Sequence, residues 1–186
     1  MKAASGIEIE RRFLVRAPAW AREARIARRE HIVQFYVAAA PERTVRVRLI
    51  GDRALLTVKG PAVNARRAEV ECDIPIDTAR ALMDAGLYTG TPVEKTRSTV
   101  DIDGLAWQVD EFTGENGGLV IAEVELTGAE DRSAWDERVD RARPEWLGRE
   151  ITGEPRFANS SLSMHPFTRW PEPGRSGVLH QIGSGD

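Results

Sequence analysis

Charged residues two positions apart recur along this 186-residue chain: Glu8, Glu10 and Arg12; Arg46 and Arg48; Glu69 and Glu71; Lys95 and Arg97; Glu123 and Glu125. Lys59 and Asp110 add single charges. In an extended strand, residues i and i+2 point to the same face, so each doublet sets two charged groups side by side. Carboxylates brought together from different strands are the hard oxygen ligands that Mg²⁺ or Mn²⁺ prefers, and arginines and lysines offer donors to phosphate oxygens. A polyanion carrying a divalent metal satisfies both sets. A chain of three linked phosphates carries roughly four negative charges near neutrality, by extension from the low second pKa of phosphate esters, and engages several cations at once.

Taken singly, each doublet reads as a solvated sheet face laced with cross-strand ion pairs. The set changes that reading, because charge stands opposite an apolar face repeatedly: Ile7, Ile9 and Phe13 behind the first group, Val45, Val47 and Leu49 behind the second, Val120, Ala122, Val124 and Leu126 behind the last. If the sheet curls so that the charged faces converge, the product is a polar lumen whose apolar exterior is covered by helices. Like charges crowded in such a lumen are costly unless a ligand of complementary charge fills it.

The elements that must position these residues are short alternating segments separated by turn residues, as in an antiparallel sheet. They run over Ile7–Val15, His31–Ala38, Thr44–Ile50, Ala54–Lys59, Ala68–Ile74, Val93–Ile102, Leu105–Thr113 and Leu119–Leu126. Gly51, Asp103-Gly104 and Asn116-Gly117-Gly118 mark hairpin turns. Helices are expected over Thr78–Ala85, with Asp77 as N-cap and Gly86 as stop, over Asp131–Arg141 and over Pro155–Ser163. Residues 1–163 read as one domain. From Met164 to Asp186 the composition shifts to Pro, Gly and Ser, which reads as a flexible tail.

Composition narrows the function classes. With 26 basic and 29 acidic residues the net charge is −3, so no basic field attracts nucleic acid. The single cysteine, Cys72, excludes an intrachain disulfide. The first 30 residues hold no apolar run of signal-peptide or membrane length, and a cytoplasmic location without a membrane partner is expected. His31, His165 and His180 lack zinc-ligand spacing, and no Walker loop, Gly-x-Ser-x-Gly or dinucleotide fingerprint is present. Trp20, Trp107, Trp135, Trp146 and Trp170 are widely spread and read as packing residues.

The segment Glu8-Ile9-Glu10-Arg11-Arg12-Phe13-Leu14-Val15 closely resembles the N-terminal signature of the CYTH superfamily, the triphosphate tunnel metalloenzymes. Ile32–Val37, Arg46-x-Arg48, Thr57-Val58-Lys59-Gly60, Glu69-x-Glu71, Glu94-Lys95-x-Arg97, Val109-Asp110-x-Phe112 and Ala122–Leu126 follow in family order. Trp146–Thr152 and Asn159–Leu162 resemble the closing segment, so the likeness covers about residues 6–163. One departure stands out: the fifth residue of the signature, commonly Lys, is Arg12, which does not release a proton.

The resemblance implies an α+β fold, an eight-stranded antiparallel β-barrel with helices packed outside. It implies that Glu8, Glu10, Glu123 and Glu125, with Asp110 and Glu71, hold one or two Mg²⁺ or Mn²⁺ ions, Glu69 being a further carboxylate outside that set. It implies that Arg12, Arg46, Arg48, Lys59, Lys95 and Arg97 grip the phosphate chain, and that Lys59, Lys95 and Arg12 assist the chemistry. The expected activity is metal-dependent hydrolysis of a triphosphate, inorganic tripolyphosphate first, with thiamine or nucleoside triphosphates open. The alternatives are a class IV adenylyl cyclase and a non-catalytic polyphosphate- or nucleotide-binding module. The expected partner is a triphosphate-containing small molecule; a homodimer is compatible with the sequence.

Overall fold

The computed structural model describes residues 9–16, 20, 25–40, 42–61, 68–126 and 131–183. Among them run nine strands: β1 (Glu10–Val15), β2 (Ile26–Ala40), β3 (Arg43–Ile50), β4 (Arg53–Lys59), β5 (Glu69–Ile74), β6 (Thr89–Ile102), β7 (Leu105–Thr113), β8 (Val120–Glu125) and β9 (Leu147–Glu150). They form one sheet in the order β5-β4-β3-β2-β6-β7-β8-β1-β9, with antiparallel pairing at every step. The eight expected strands are all present, and β9 is an addition to them. Four residues are too few to show an alternating signature, which is why β9 is silent in the sequence. The sheet ends on β5 and β9, and no ladder joins these two among the described residues. It is therefore a curled sheet with two edges rather than a strictly closed barrel.

The hairpin turns follow from backbone chemistry. Between β6 and β7, Asp103 and Gly104 both take positive φ, 52° and 73°, the two-residue turn whose twist matches that of the flanking strands. Gly90 is needed for a different reason. A Cβ there would lie 2.6 Å from the carbonyl oxygen of Ser163, so only glycine lets the start of β6 approach this closely.

Among the described residues there are four helices: α1 (Ile76–Asp84), α2 (Arg132–Arg141), α3 (Asn159–Met164) and α4 (Gly174–Gly183). Pro75, rather than the expected Asp77, occupies the N-cap of α1, and Asp77 falls in its first turn. The Asp131 side chain caps α2 by accepting from the Ser133 and Ala134 amides. The third expected helix divides into a 3₁₀ turn at Pro155–Phe157 and α3.

Two apolar clusters lie behind the sheet. The larger joins Phe13, Trp107, Val109, Ala122 and Val124 from the strands to Trp135 and Val139 of α2 and Leu162 of α3. The smaller packs Phe35, Val47 and Ala54 against Ala79 of α1. Trp20, Trp146, Trp107 and Phe13 form a chain of ring contacts, with centroids 5.8 to 6.4 Å apart, in keeping with packing roles.

The segment read as a flexible tail carries α4. Phe167, Val178 and Ile182 are buried in the larger cluster, and α4 contacts β1 and β9. The composition of this stretch reflects its chain-breaking residues, whereas its packing is decided by a few apolar side chains, two of them four residues apart on one helix face. Among the described residues, no helix is long and apolar enough to cross a membrane.

Candidate active site

The described members of each charged group lie on the face of the sheet opposite the apolar clusters. Across β1 and β8, Glu10 stands opposite Glu125 and Arg12 opposite Glu123. Across β2, β3, β4 and β5, Tyr36, Arg46, Thr57 and Glu71 form one row, and Thr44, Lys59 and Glu69 form the next. Curling of the sheet brings these rows around a cavity of about 360 Å³. Five cations line it: Arg12, Arg46, Arg48, Lys59 and Arg97. Five carboxylates join them: Glu10, Glu69, Glu71, Glu123 and Glu125.

Part of this charge is paired within the protein. Lys59 Nζ lies 2.9 Å from Glu69. Thr57 Oγ1 donates to Glu71 at 2.7 Å and accepts from Arg46 Nη2 at 3.2 Å. Arg97 pairs with Glu123. The pairing is incomplete, however: Nε of Arg12, Arg46 and Arg48 is buried and finds no hydrogen-bond acceptor among the described residues. Burial first, and then the nearby charges of Arg46 and Arg97, push the Arg48 guanidinium down to about 10. A buried guanidinium N–H without an acceptor is expensive, even where another nitrogen of the group is bonded, as in Arg12 and Arg46. An arginine cluster in this state is prepared for an anion.

Lys95 and Asp110 are on the expected face but at a different depth. Both are buried, 0% and 2% exposed, neither lines the cavity, and Lys95 Nζ lies 2.5 Å from Asp110 Oδ2. Burial pushes the Lys95 ammonium down to about 8, against the pull of Asp110. Burial alone would raise the Asp110 carboxyl, but Lys95 and Arg97 outweigh it and hold Asp110 at about 2. Burial likewise disfavours charge on Arg97, and its hydrogen bonds and ion pair with Asp110 more than compensate, so its proton is held more tightly than in an ordinary arginine.

The carboxylates suit a divalent cation in donor type. Arg12 Nε lies 4.0 Å from Glu10 Oε1 and 3.8 Å from Glu123 Oε2, so these two carboxylates already face one positive group. Glu125 is the strand partner of Glu10. Among the described residues no three carboxylate, histidine or cysteine groups come close enough to form a ligand set, and Glu8 lies outside the described residues. Glu71 sits beside Arg46, on a strand separated from β2 by β3 and β4.

Several lining residues are not apparent from the sequence alone. Tyr36 and Thr44 share faces with Arg46 and Lys59, a relation that strand parity reveals once the register is known. Ala158, Asn159 and Ser160 close one side, and Arg12 Nη2 donates to the Phe157 carbonyl beside them at 3.0 Å. Nothing in the sequence signals a contact across 145 residues.

A CYTH domain model matches residues 6–157. The chain belongs to the CYTH domain family. This CYTH domain is 38% identical, over 90% of its own length and 99% of the relative's, to an inorganic triphosphatase of Acetivibrio thermocellus. A solved inorganic triphosphatase, 27% identical, superposes with a TM-score of 0.61 over 84% of this chain and 94% of that chain. A Hippeastrum protein named for adenylyl cyclase and described with a dominant triphosphatase activity has a TM-score of 0.56 over 81% of this chain and 93% of that chain. At 14% identity that likeness shows the fold alone. The family match ends at residue 157, just before the wall that Ala158–Ser160 add to the cavity of this CYTH domain.

Proposed function

We propose that this CYTH domain hydrolyses inorganic tripolyphosphate to orthophosphate and pyrophosphate in the presence of Mg²⁺ or Mn²⁺. The observation that carries this reading is the convergence of five cations from four strands on one cavity, three of them arginines that keep a buried Nε without an acceptor among the described residues. A chain of phosphates supplies many acceptors in a small volume, and arginine forks bind them bidentately. The similarity to the Acetivibrio thermocellus triphosphatase supports the same conclusion.

Phosphoryl transfer demands mainly positioning and neutralisation of charge. In this reading Arg46, Arg48 and Lys59 bind the phosphate chain from β3 and β4, and Arg12 and Arg97 border it from β1 and β6. Water oxygen bonds to the terminal phosphorus as the bond from that phosphorus to the bridging oxygen breaks; the electron pair leaves on pyrophosphate, and the water's protons stay on the new orthophosphate until exchanged with solvent. Lys59 and the arginines neutralise the charge that shifts to the leaving group. Glu10, Glu123 and Glu125, with Glu8, would hold the divalent ion by drawing closer together than they stand here, while Glu71 faces the cavity from the far strand. When bound, such an ion polarises phosphate oxygens and lowers the pKa of attacking water. Tyr36 is the one aromatic residue in the lining among the described residues, which offers no apolar platform for a purine.

The reading is tested by incubating the protein with tripolyphosphate, ATP or thiamine triphosphate, with Mg²⁺, Mn²⁺ or chelator, and identifying the products by phosphorus NMR. Metal-dependent release of orthophosphate and pyrophosphate from tripolyphosphate is expected. Cyclic AMP from ATP would select the cyclase reading, and tight tripolyphosphate binding without product would select the binding module. The Glu123→Gln, Glu125→Gln double variant is expected to abolish turnover.

A further inference from the structure

We infer that Asp110 and Lys95 are positioning residues: a buried brace that sets the plane of Arg97 and touches neither metal nor phosphate. This inference rests on the reading of the cavity as a triphosphate site. It reassigns two groups that the family resemblance places among the ligands.

Asp110 is buried, and three of the roughly four acceptor sites of its carboxylate are taken by cations. Its Oδ1 accepts from Arg97 Nε at 2.7 Å, and its Oδ2 accepts from Lys95 Nζ at 2.5 Å and Arg97 Nη2 at 2.7 Å. The Arg97 contact is the bidentate fork in which a planar guanidinium is held in one orientation. Lys95 is equally committed: its ammonium pairs with Asp110 and lies 5.4 Å from the centre of the Phe112 ring, with none of its surface exposed. Lys95 is outside the cavity lining, so a phosphate contact would require opening the packing that encloses its ammonium.

The charges show why both members are needed. Arg97 also donates to Gln108 and to Glu123, so Asp110 faces Lys95 and Arg97, while Glu123 faces Arg97 and, at 3.8 Å, Arg12. Such a cluster is tolerated in the interior when its charges balance and its donors are satisfied. Without Lys95, Asp110 would be left with Arg97 alone, which Glu123 also engages. Without Asp110, Arg97 would lose the partner that fixes its plane and would rotate toward Glu123. The brace thus fixes Arg97 in the cavity lining, with four of its five N–H donors engaged, and holds Glu123 between Arg97 and Arg12.

A double-mutant cycle on Arg97→Met and Asp110→Asn, read in kcat/KM for tripolyphosphate, tests this. Each single variant is expected to lose about tenfold to about a hundredfold, and the double variant to fall within about threefold of Arg97→Met alone, because Asp110 acts only through Arg97. A double loss approaching the product of the single losses overturns the brace. If the double variant does not fold, adding Lys95→Met removes the charge left unpaired, and that triple variant is held to the same comparison. As an independent readout, Mn²⁺ affinity without substrate, measured by electron paramagnetic resonance, is expected to change less than about threefold in Asp110→Asn; a loss of about tenfold marks Asp110 as a metal ligand and overturns the brace. A wild-type protein that binds tripolyphosphate yet releases no orthophosphate refutes the hydrolase reading separately. The cycle is then read in tripolyphosphate affinity.

Discussion

Arg48 shows at the scale of one residue how the site differs from ordinary protein interior. Its guanidinium is pushed down by burial and by Arg46 and Arg97, and its Nε has no acceptor among the described residues. Arg48→Met is therefore expected to leave stability unchanged or raise it by on the order of 1 kcal/mol, while raising the tripolyphosphate KM about tenfold or more. Thermal melts paired with steady-state kinetics check both halves, and a clear drop in melting temperature contradicts the electrostatic account. Asp110 behaves in the opposite way. Its folded-state pKa lies below the unfolded value, so its contribution to stability is complete above about pH 4 and is lost as pH falls toward about 2. Denaturant titrations stepped through that window are expected to show a shallower pH slope for Asp110→Asn than for the wild type. Strand parity places Lys95 and Asp110 on the correct face. It does not give their depth, which is set by neighbours such as Phe112 that pack over them only in the folded sheet.

At the scale of elements, alternation and turn residues make eight strands legible, including their inward and outward faces. What escapes are elements whose stability comes from tertiary contact. The strand β9 pairs with β1 over very few positions, and α4 is held by Val178 and Ile182 in a stretch rich in glycine. Ile182→Ala is expected to cost about 2–4 kcal/mol, measured by urea unfolding, because it opens a hole in the main core. A cost near zero would mean that α4 does not dock in solution. Arg12 links the first strand to the far end of the chain through the Phe157 carbonyl. Arg12→Lys keeps the charge but lacks the forked reach of a guanidinium. Faster amide hydrogen exchange across residues 155–164 is expected in that variant, with β4 unchanged as the internal control.

Across the whole molecule, the net charge of −3 hides an uneven distribution. Cations that the outer surface does not need are gathered on the inner face of the curled sheet, where they meet carboxylates and are only partly satisfied by them. Composition points away from nucleic acid, and the doublets point to a lumen, but only the register of β1 against β8 and of β3 against β4 shows which charges face one another. Calorimetric titration of tripolyphosphate in chelator, comparing the wild type with Arg48→Met, tests the central claim most directly. The account predicts saturable binding at one site per chain, weakened about tenfold or more in the variant. Absence of binding by the wild type, or equal affinity in both proteins, would contradict it.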